Sequence, residues 1–533
     1  MQFQSYIQDK NHWDLEPDLP HLLSIYWEDF PQHINELGQF GALIGERAYA
    51  LGDHIDHNAI PSLIMHDLDG KRVDRARLSP AHSALLKELA VINRPPYDGG
   101  SWLHHFALGY LLADPGLYCT LIVTNQTAYA IHKYAPEQKE WLEPLLRGDA
   151  WGATWMTETH GGSDLGANLT LARQEEGVWR LYGDHKYFAS NAGIADIALA
   201  TARPEGAPPG PKGLALFLVP RLNGTGELNY HVLRFKDKSA TRAVPTGEVE
   251  FRGSQAYLVG QAELGVYYTL ENLTVSRLAN AVGAMGLSRK AHLEALLRTQ
   301  SRQAFAHTLA EHPLIRYDLT DLAVRTAAGL ALIFHAVHAF DRAWRSNPPY
   351  TPEYHYARFL SHLAKNRTAE HAAQVTLLAI EIFGGLGFLE EYAPYRLHRE
   401  ALVTLIWEGT SNIQALELLE AMGKKSAHES FLDDILPRLE RASGSEFTRA
   451  RRTLESTLSH ITILTPNEAQ WHSKDALRTL ADIAQVALLL SLAEHGGERY
   501  AKLASLYATR FIASDSYPTW ALKDSDVWFP LRG

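Results

Sequence analysis

Three short segments of this 533-residue chain carry side chains suited to acting on a small molecule. The first is Trp155-Met156-Thr157-Glu158-Thr159-His160-Gly161-Gly162-Ser163-Asp164, an apolar run entering a loop with two glycines and several hydroxyls. Glycine lets backbone N–H groups converge on a phosphate or a cofactor carbonyl, although the same loop also reads as a plain turn between strands. No Gly-Lys-Ser/Thr follows, which excludes a Walker A loop. The second segment, Phe383-Gly384-Gly385-Leu386-Gly387-Phe388, has half of a dinucleotide fingerprint but lacks the third glycine and follows a helical pattern. A helix stop is the competing reading there. The third is Ile406-Trp407-Glu408-Gly409-Thr410-Ser411-Asn412-Ile413-Gln414. Ser411 with Gln414 fits a capping box and places a helix start near Ser411. Glu408 then stands just ahead of that start, between Ile406, Trp407 and Gly409. Desolvation by apolar neighbours raises a carboxylate pKa towards the range of a general base, and a helix start can receive an anionic cofactor. A solvated glutamate favoured by the helix dipole is the plainer alternative.

Other chemistries find little footing. The 26 histidines form no His-Glu-x-x-His motif; His335 with His338, or His54 with His57, fit shared helix faces, and no metal site is expected. No Gly-x-Ser-x-Gly elbow surrounds Ser163. Cys119 is the only cysteine, which excludes an intrachain disulfide framework and a cysteine-based zinc or iron–sulfur centre. A formal charge of −11 argues against non-specific nucleic-acid binding over the whole surface. Residues 1–423 carry all of that charge, whereas 424–533 hold 14 basic and 14 acidic residues. The opening Met1-Gln2-Phe3-Gln4-Ser5 shows no signal-peptide pattern, and apolar stretches such as Ile483 to Ala493 are read as too short for a membrane span. A cytoplasmic enzyme with no membrane partner is the expectation.

The elements that must position these segments change type along the chain. From about Ser79 to Arg147 the apolar spacing is helical; residues 1–78 read as an extension packed on that region. Short β-rich runs follow at Val178 to Phe188, Asp196 to Ala202, Leu214 to Val219, Glu227 to Arg234 and Glu248 to Val259, and these predict a small antiparallel sheet. Helices are predicted over roughly 266–301, 315–345, 355–383 and 411–423, then a further helical region with a polar break at Thr465-Pro466-Asn467-Glu468.

Taken together and in this order, the segments resemble the acyl-CoA dehydrogenase superfamily over roughly residues 100–423, and within it the alkylation-response, AidB-like branch with its long C-terminal extension. Tyr134-Ala135-Pro136-Glu137-Gln138-Lys139, Met156-Thr157-Glu158, Gly161-Gly162-Ser163-Asp164, Gly183 to Asn191, Glu381-x-x-Gly384-Gly385-x-Gly387 and Glu408 carry the resemblance, and the 27-residue step from Glu381 to Glu408 matches the family spacing. The resemblance implies a mainly α fold with a central β domain: an extension and helical domain over 1–150, a β domain over 151–262, a four-helix bundle with the base over 263–424 and an appended helical domain over 425–533. It implies FAD as cofactor and an acyl-CoA thioester as substrate. Glu408 is then the base, with Arg277 beside it, and Ser276 stands where a minority of members carry an alternative glutamate. Cofactor contacts fall on Met156, Thr157 (near flavin N5), Ser163, Phe188, Ser190, Glu381, Gly384, Gly385, Thr410 and Asn412. Arg302 and Phe305 match the pair that reaches the FAD of a neighbouring subunit, which implies a homotetramer. Substrate contacts fall on Ser163, Trp407 and Gly409.

Three departures stand out: Thr159-His160 replaces the usual Pro-Gly, Glu381 replaces Gln, and Trp407 is a bulky neighbour of the base. The expected function is FAD-dependent acyl-CoA dehydrogenation, with electrons passing to an electron-transfer flavoprotein. The alternatives are an acyl-CoA oxidase or an AidB-like, DNA-associated flavoprotein with vestigial activity. For DNA contact the tail offers Arg449, Arg451 and Arg452.

Overall fold

The computed structural model describes residues 3–528, so Met1-Gln2 of the opening segment and the last five residues of the tail lie outside the described residues. The chain forms two compact units, one of residues 51–100 and 114–276, the other of the described residues of 1–50, 101–113 and 277–533.

The first unit is built on strands. A hairpin of β1 (Ser62–His66) and β2 (Arg72–Arg77) precedes β3 (Gly152–Trp155), β4 (Leu171–Glu175), β5 (Val178–Ser190), β6 (Ile197–Pro204), β7 (Ala215–Pro220), β8 (His231–Phe235) and β9 (Thr246–Leu258). The order β6-β4-β5-β9-β7 closes on itself because β7 also pairs with β6; β3 adds beside β6 and β8 beside β9. The sheet is antiparallel as expected, apart from the β3–β6 and β4–β6 pairs. Period-two alternation sorts its side chains into two cores. Ala198, Ala200, Phe217 and Val219 face one with Trp155 and Tyr230. Ile197, Leu199, Leu216 and Leu218 face the other with Met156, Ala128 and Ile131. The last two lie on the helix Pro115–Tyr134, whose Thr124 and Thr127 hydroxyls bond Gly152 N and Ala153 O of β3 at 3.1 Å each.

The second unit is helical. Its long members are Pro313–Ala343, Pro352–Phe383 and Pro466–Gly496, joined by the part of Gly265–Ser301 from Arg277 onward. Thr351 caps Pro352–Phe383 at its N-terminus, and the helix ends at Gly384, φ 63°, where the glycine pair predicts a stop. The break at Thr465-Pro466-Asn467-Glu468 is a capping box that starts the next helix. The helix Ala393–Thr404 was not anticipated; its buried face holds Arg396, Arg399 and Glu400 beside Ala393, Leu397 and Ala401, so charge masks the apolar stripe. The expected extension divides: residues up to Ala50 belong to this unit, where Ile7 and Tyr49 share a core with Leu287 and Ala291, while 51–78 belong to the strand-built unit.

The expectation that no apolar stretch reaches membrane-spanning length changes. Three helices, Pro313–Ala343, Pro352–Phe388 and Pro466–Gly496, are by length and composition apolar enough to cross a membrane, so the reading from Ile483 to Ala493 was too narrow. Much of that apolar surface is buried within the unit, as a helix in the middle of a bundle requires. The appended region packs on the bundle through Asp482, which accepts bonds from Arg367 (2.6 Å) and Tyr507 (2.6 Å). Arg451, half-buried, donates from its guanidinium to the carbonyls of Leu439 and Ala442 and closes the end of the helix Ala427–Glu440.

Candidate functional site

In the helical unit the chemistry gathers under Glu408. The helix Ala393–Thr404 ends just before it and Ser411–Lys425 begins just after, leaving a tight turn with Glu408 at φ 61° and Gly409 at φ 101°. A non-glycine residue in the left-handed region costs about 1–3 kcal/mol and persists only where its surroundings fix it. Here three buried side chains do so. Arg277 Nε donates to Glu408 O at 3.0 Å, Lys365 Nζ to Gly409 O at 2.6 Å and to Leu405 O at 3.2 Å, and Gln414 Nε2 to both Glu408 O (2.9 Å) and Gly409 O (3.2 Å). The capping box expected of Ser411 and Gln414 is therefore absent: Thr410 is the N-cap residue, and Gln414 turns back onto the carbonyls.

Beneath the turn lies a charge network. Arg277 grips Glu417 with both terminal nitrogens, at 2.8 and 2.6 Å, and Arg358 reaches the same carboxylate at 2.7 Å. Burial would push Glu417 up, but Arg277 and the other neighbouring cations hold it well below the usual carboxylate range. Burial pushes His362 down to about 3, leaving a neutral ring bonded to Gln414 Oε1 at 2.9 Å. Burial also pushes Lys365 down to about 7, against the pull of Glu408, with Arg277 adding to the depression. The apolar flank expected around Glu408 is only half present: Trp407 is half-buried, but Ile406 is 63% exposed. Polar donors set this turn, because its inner carbonyls need partners.

In the strand-built unit the loop after β3 is pinned from below. Glu158 is buried; it accepts from Lys186 Nζ (2.7 Å), Leu169 N (2.6 Å), Thr170 N (3.3 Å) and the Thr170 hydroxyl. Lys186 also donates to Thr201 O at 2.7 Å. Burial works to raise Glu158, but the charge of Lys186 and these donors bring it below its ordinary value. Paired backbone bonds between Glu158 and Gly161 make Thr159-His160 the exposed tip of a turn, and a Cβ on Gly161 would fall 2.2 Å from Asp164 O. Thr157 is half-buried and Ser163 exposed, and among the described residues no hydrogen bond engages either hydroxyl. Thr157 O is fixed by Tyr187 N at 2.8 Å.

The other anticipated residues fall into distinct situations. Met156 is in the core, its carbonyl bonded to Asn168 Nδ2 at 2.6 Å, so only its backbone stands at the loop entrance. Ser190 Oγ donates to Thr154 O at 3.2 Å and so fastens β5 to β3. Phe188 is 56% exposed beside Tyr187, with Lys236 Nζ 5.0 Å from its ring centre. Ser276 is buried and donates to Leu273 O. Gly384 and Gly385 border open space, and Glu381 is exposed one turn before them. Thr410 and Asn412 are exposed at the helix start without side-chain bonds among the described residues. Arg302 precedes a two-residue hairpin, Gln303–Ala304 with His307–Thr308, whose tip Phe305 is 91% exposed.

Comparison with known proteins bears on this arrangement. An acyl-CoA dehydrogenase of Bacillus subtilis (strain 168) is 32% identical over 303 residues, covering 56% of this chain and 74% of its own. The chain belongs to the acyl-CoA dehydrogenase family. Family models match in three pieces: the adaptive response protein AidB N-terminal domain over 4–149, the acyl-CoA dehydrogenase middle domain over 153–254 and the acyl-CoA dehydrogenase C-terminal domain over 263–423. AidB of Escherichia coli (strain K12) is 29% identical over 423 residues, 75% of each chain. The crystal structure of Caenorhabditis elegans ACDH-11 in complex with C11-CoA aligns with a TM-score of 0.85 at 25% identity, covering 98% of this chain and 94% of that one. The chain is thus AidB-like and has the fold of this oxidoreductase family, whose members bind FAD.

Sequence reasoning missed Lys365, Arg358, His362 and Glu417 around the turn, and Glu158 and Lys186 under the loop. Arg358, His362 and Lys365 stand at i, i+4 and i+7 of an otherwise Ala- and Leu-rich helix. A polar stripe at that spacing was the available signal.

Proposed function

We propose that the chain is an FAD-dependent acyl-CoA dehydrogenase in which Glu408 takes the α-proton of an acyl-CoA thioester. The observation that carries this reading is the Glu408–Gly409 turn, a strained backbone fixed by Arg277, Lys365 and Gln414 through its carbonyls. A base that must meet one C–H bond gains from such fixing, since orientation settled before binding is not paid for in the transition state. Arg277 acts through the main chain and Glu417 balances its charge, so it is a positioning residue for Glu408.

The residues present fit the cofactor of the family. Among the described residues, the strand-built unit offers the unbonded hydroxyls of Thr157 and Ser163 and the exposed ring of Phe188, and the helical unit offers Thr410 and Asn412 at a helix start and the open backbone of Gly384-Gly385. Met156 and Ser190 would shape the loop surface of the first through backbone and strand contacts, and Glu381 would flank the glycine pair of the second. Bound FAD would supply the acceptor for the hydride leaving the β-carbon. The exposed tip holding Phe305, with Arg302, suits contact with the cofactor of another copy in a homotetramer. Trp407 and Gly409, beside the base, and Ser163, on the loop, would contact the thioester.

The test is an absorbance spectrum of the purified protein followed by anaerobic addition of a panel of acyl-CoAs. A flavin spectrum that bleaches with at least one thioester is expected. A colourless protein that takes up no FAD, or a flavin that no acyl-CoA reduces, contradicts the reading. Peroxide formed during aerobic turnover would mark oxygen as the acceptor in place of an electron-transfer flavoprotein.

A further inference from the structure

His33, Glu36 and His104 converge far along the chain from the motifs above. His33 and Glu36 occupy i and i+3 of the helix Phe30–Leu43, so they share a face, and His104 lies on the helix Trp102–Leu112. His33 Nδ1 is 3.0 Å from Glu36 Oε2, and His104 Nε2 is 3.3 Å from Glu36 Oε1. The ligand-capable atoms of all three residues lie within 4.8 Å of one another. His104 is buried, yet its Nε2 makes no hydrogen bond of acceptable geometry, even to the carboxylate beside it. Trp27 stacks on His33 at 4.7 Å between ring centres and leans on His104 at 5.0 Å, which fixes both imidazoles.

We propose that His33, Glu36 and His104 form a binding site for one divalent transition-metal ion of the zinc class. Two imidazoles with one carboxylate are a donor set for zinc or its neighbours and not for calcium or magnesium, which take oxygen ligands. Zinc bonds of about 2.0–2.1 Å at tetrahedral angles place ligand atoms about 3.3 Å apart, close to the two His–Glu separations of 3.0 and 3.3 Å, so closing on one ion needs only a modest approach of the two imidazoles. A hydrogen-bonded His–Glu–His triad would account for the His33 contact but leaves the 3.3 Å contact of His104 Nε2 with Glu36 Oε1 without hydrogen-bond geometry. A shared cation satisfies all three groups. It also ties Phe30–Leu43 to Trp102–Leu112, and the partial exposure of His33 and Glu36 leaves a fourth position for water. No metal was expected from the sequence because His104 lies far from the His33/Glu36 pair in sequence, with no motif to join them.

The test uses the full-length, tag-free protein, freed of metal by chelation and titrated with cobalt(II) alone, then with zinc(II) in competition. One equivalent should bind with the visible absorption of cobalt in a low-symmetry nitrogen and oxygen site, and zinc should displace it. Glu36→Gln and His33→Gln should each weaken binding by at least roughly tenfold. Because His33 is partly exposed, His33→Gln keeps the buried ring in place and should leave the metal-free melting temperature unchanged. Zinc should raise the melting temperature of the parent protein and not that of His33→Gln. The absence of a saturable cobalt spectrum, or one that survives both substitutions, would overturn the proposal; the ion would then sit among other histidines or nowhere.

Discussion

Two glutamates, each tied to a buried lysine, lie at the two candidate loops, and they are used in opposite ways. Glu158 is consumed through its side chain: Lys186, Thr170 and Leu169 occupy both carboxylate oxygens, and the hydroxyls of Thr157 and Ser163 are left to the loop surface. Glu408 is held through its main chain: Arg277 and Gln414 take its carbonyl, while Lys365 takes those of Leu405 and Gly409. The first arrangement makes a carboxylate part of the scaffold. The second fixes where a carboxylate begins and spends no side-chain oxygen on these bonds. Motif position alone does not separate the two, because both glutamates stand in glycine-bearing turns; their donors do.

The contrast can be broken most sharply by Glu408→Gln. This substitution should keep the fold and the flavin content and lower the rate of anaerobic flavin reduction by roughly 10²–10⁴-fold, the usual worth of a general base. Retention of the rate would remove Glu408 from the chemistry. The reverse outcome is expected of Glu158→Ala, which leaves Lys186 buried without its partner and should cost about 3–5 kcal/mol in urea unfolding. A loss within error would show that Glu158 is not scaffold.

Lys365→Met probes the main-chain clamp. Lys365 is depressed from 10.5 to about 7 in the folded protein. Between those values the unfolded chain holds a proton that the folded chain has released, so stability rises with pH there, by up to about 1.4 kcal/mol per pH unit. Below about 7 both states are protonated and this contribution is flat. Melting curves between about pH 7 and 10 should show a shallower rise for Lys365→Met than for the parent, whereas parallel curves would place Lys365 outside the linkage. The smallest effect is expected of Thr157→Val, about 1 kcal/mol in FAD affinity with no change in melting of the cofactor-free protein. A large loss of stability would instead make Thr157 a structural residue.

The strands β5 to β9 and the long bundle helices were readable because their apolar runs are undisturbed, as in Ile197–Pro204 and Pro313–Ala343, whereas β1 to β4, each six residues or fewer, were not anticipated. The start of Ser411–Lys425 was also placed correctly, but for an incorrect reason: Gln414 caps no amide and binds the carbonyls of Glu408 and Gly409. Such a bond depends on the left-handed turn at Glu408, which residue types do not announce. Glu417 lies 140 positions from Arg277 along the chain, and no local pattern reveals their pairing. The extension before Ala50 was hard to read for a related reason. Its order comes from distant partners, such as Arg289 with Glu16 and Asp18, more than from its own periodicity.

The claim that Glu408 is a positioned base can be tested without following the flavin at all. The protein is incubated with an acyl-CoA in deuterium oxide, and α-deuterium incorporation into the thioester is followed by mass spectrometry. The parent protein should exchange the α-proton, and Glu408→Gln with equal flavin content should not. Equal exchange by the two proteins would contradict the assignment of the base.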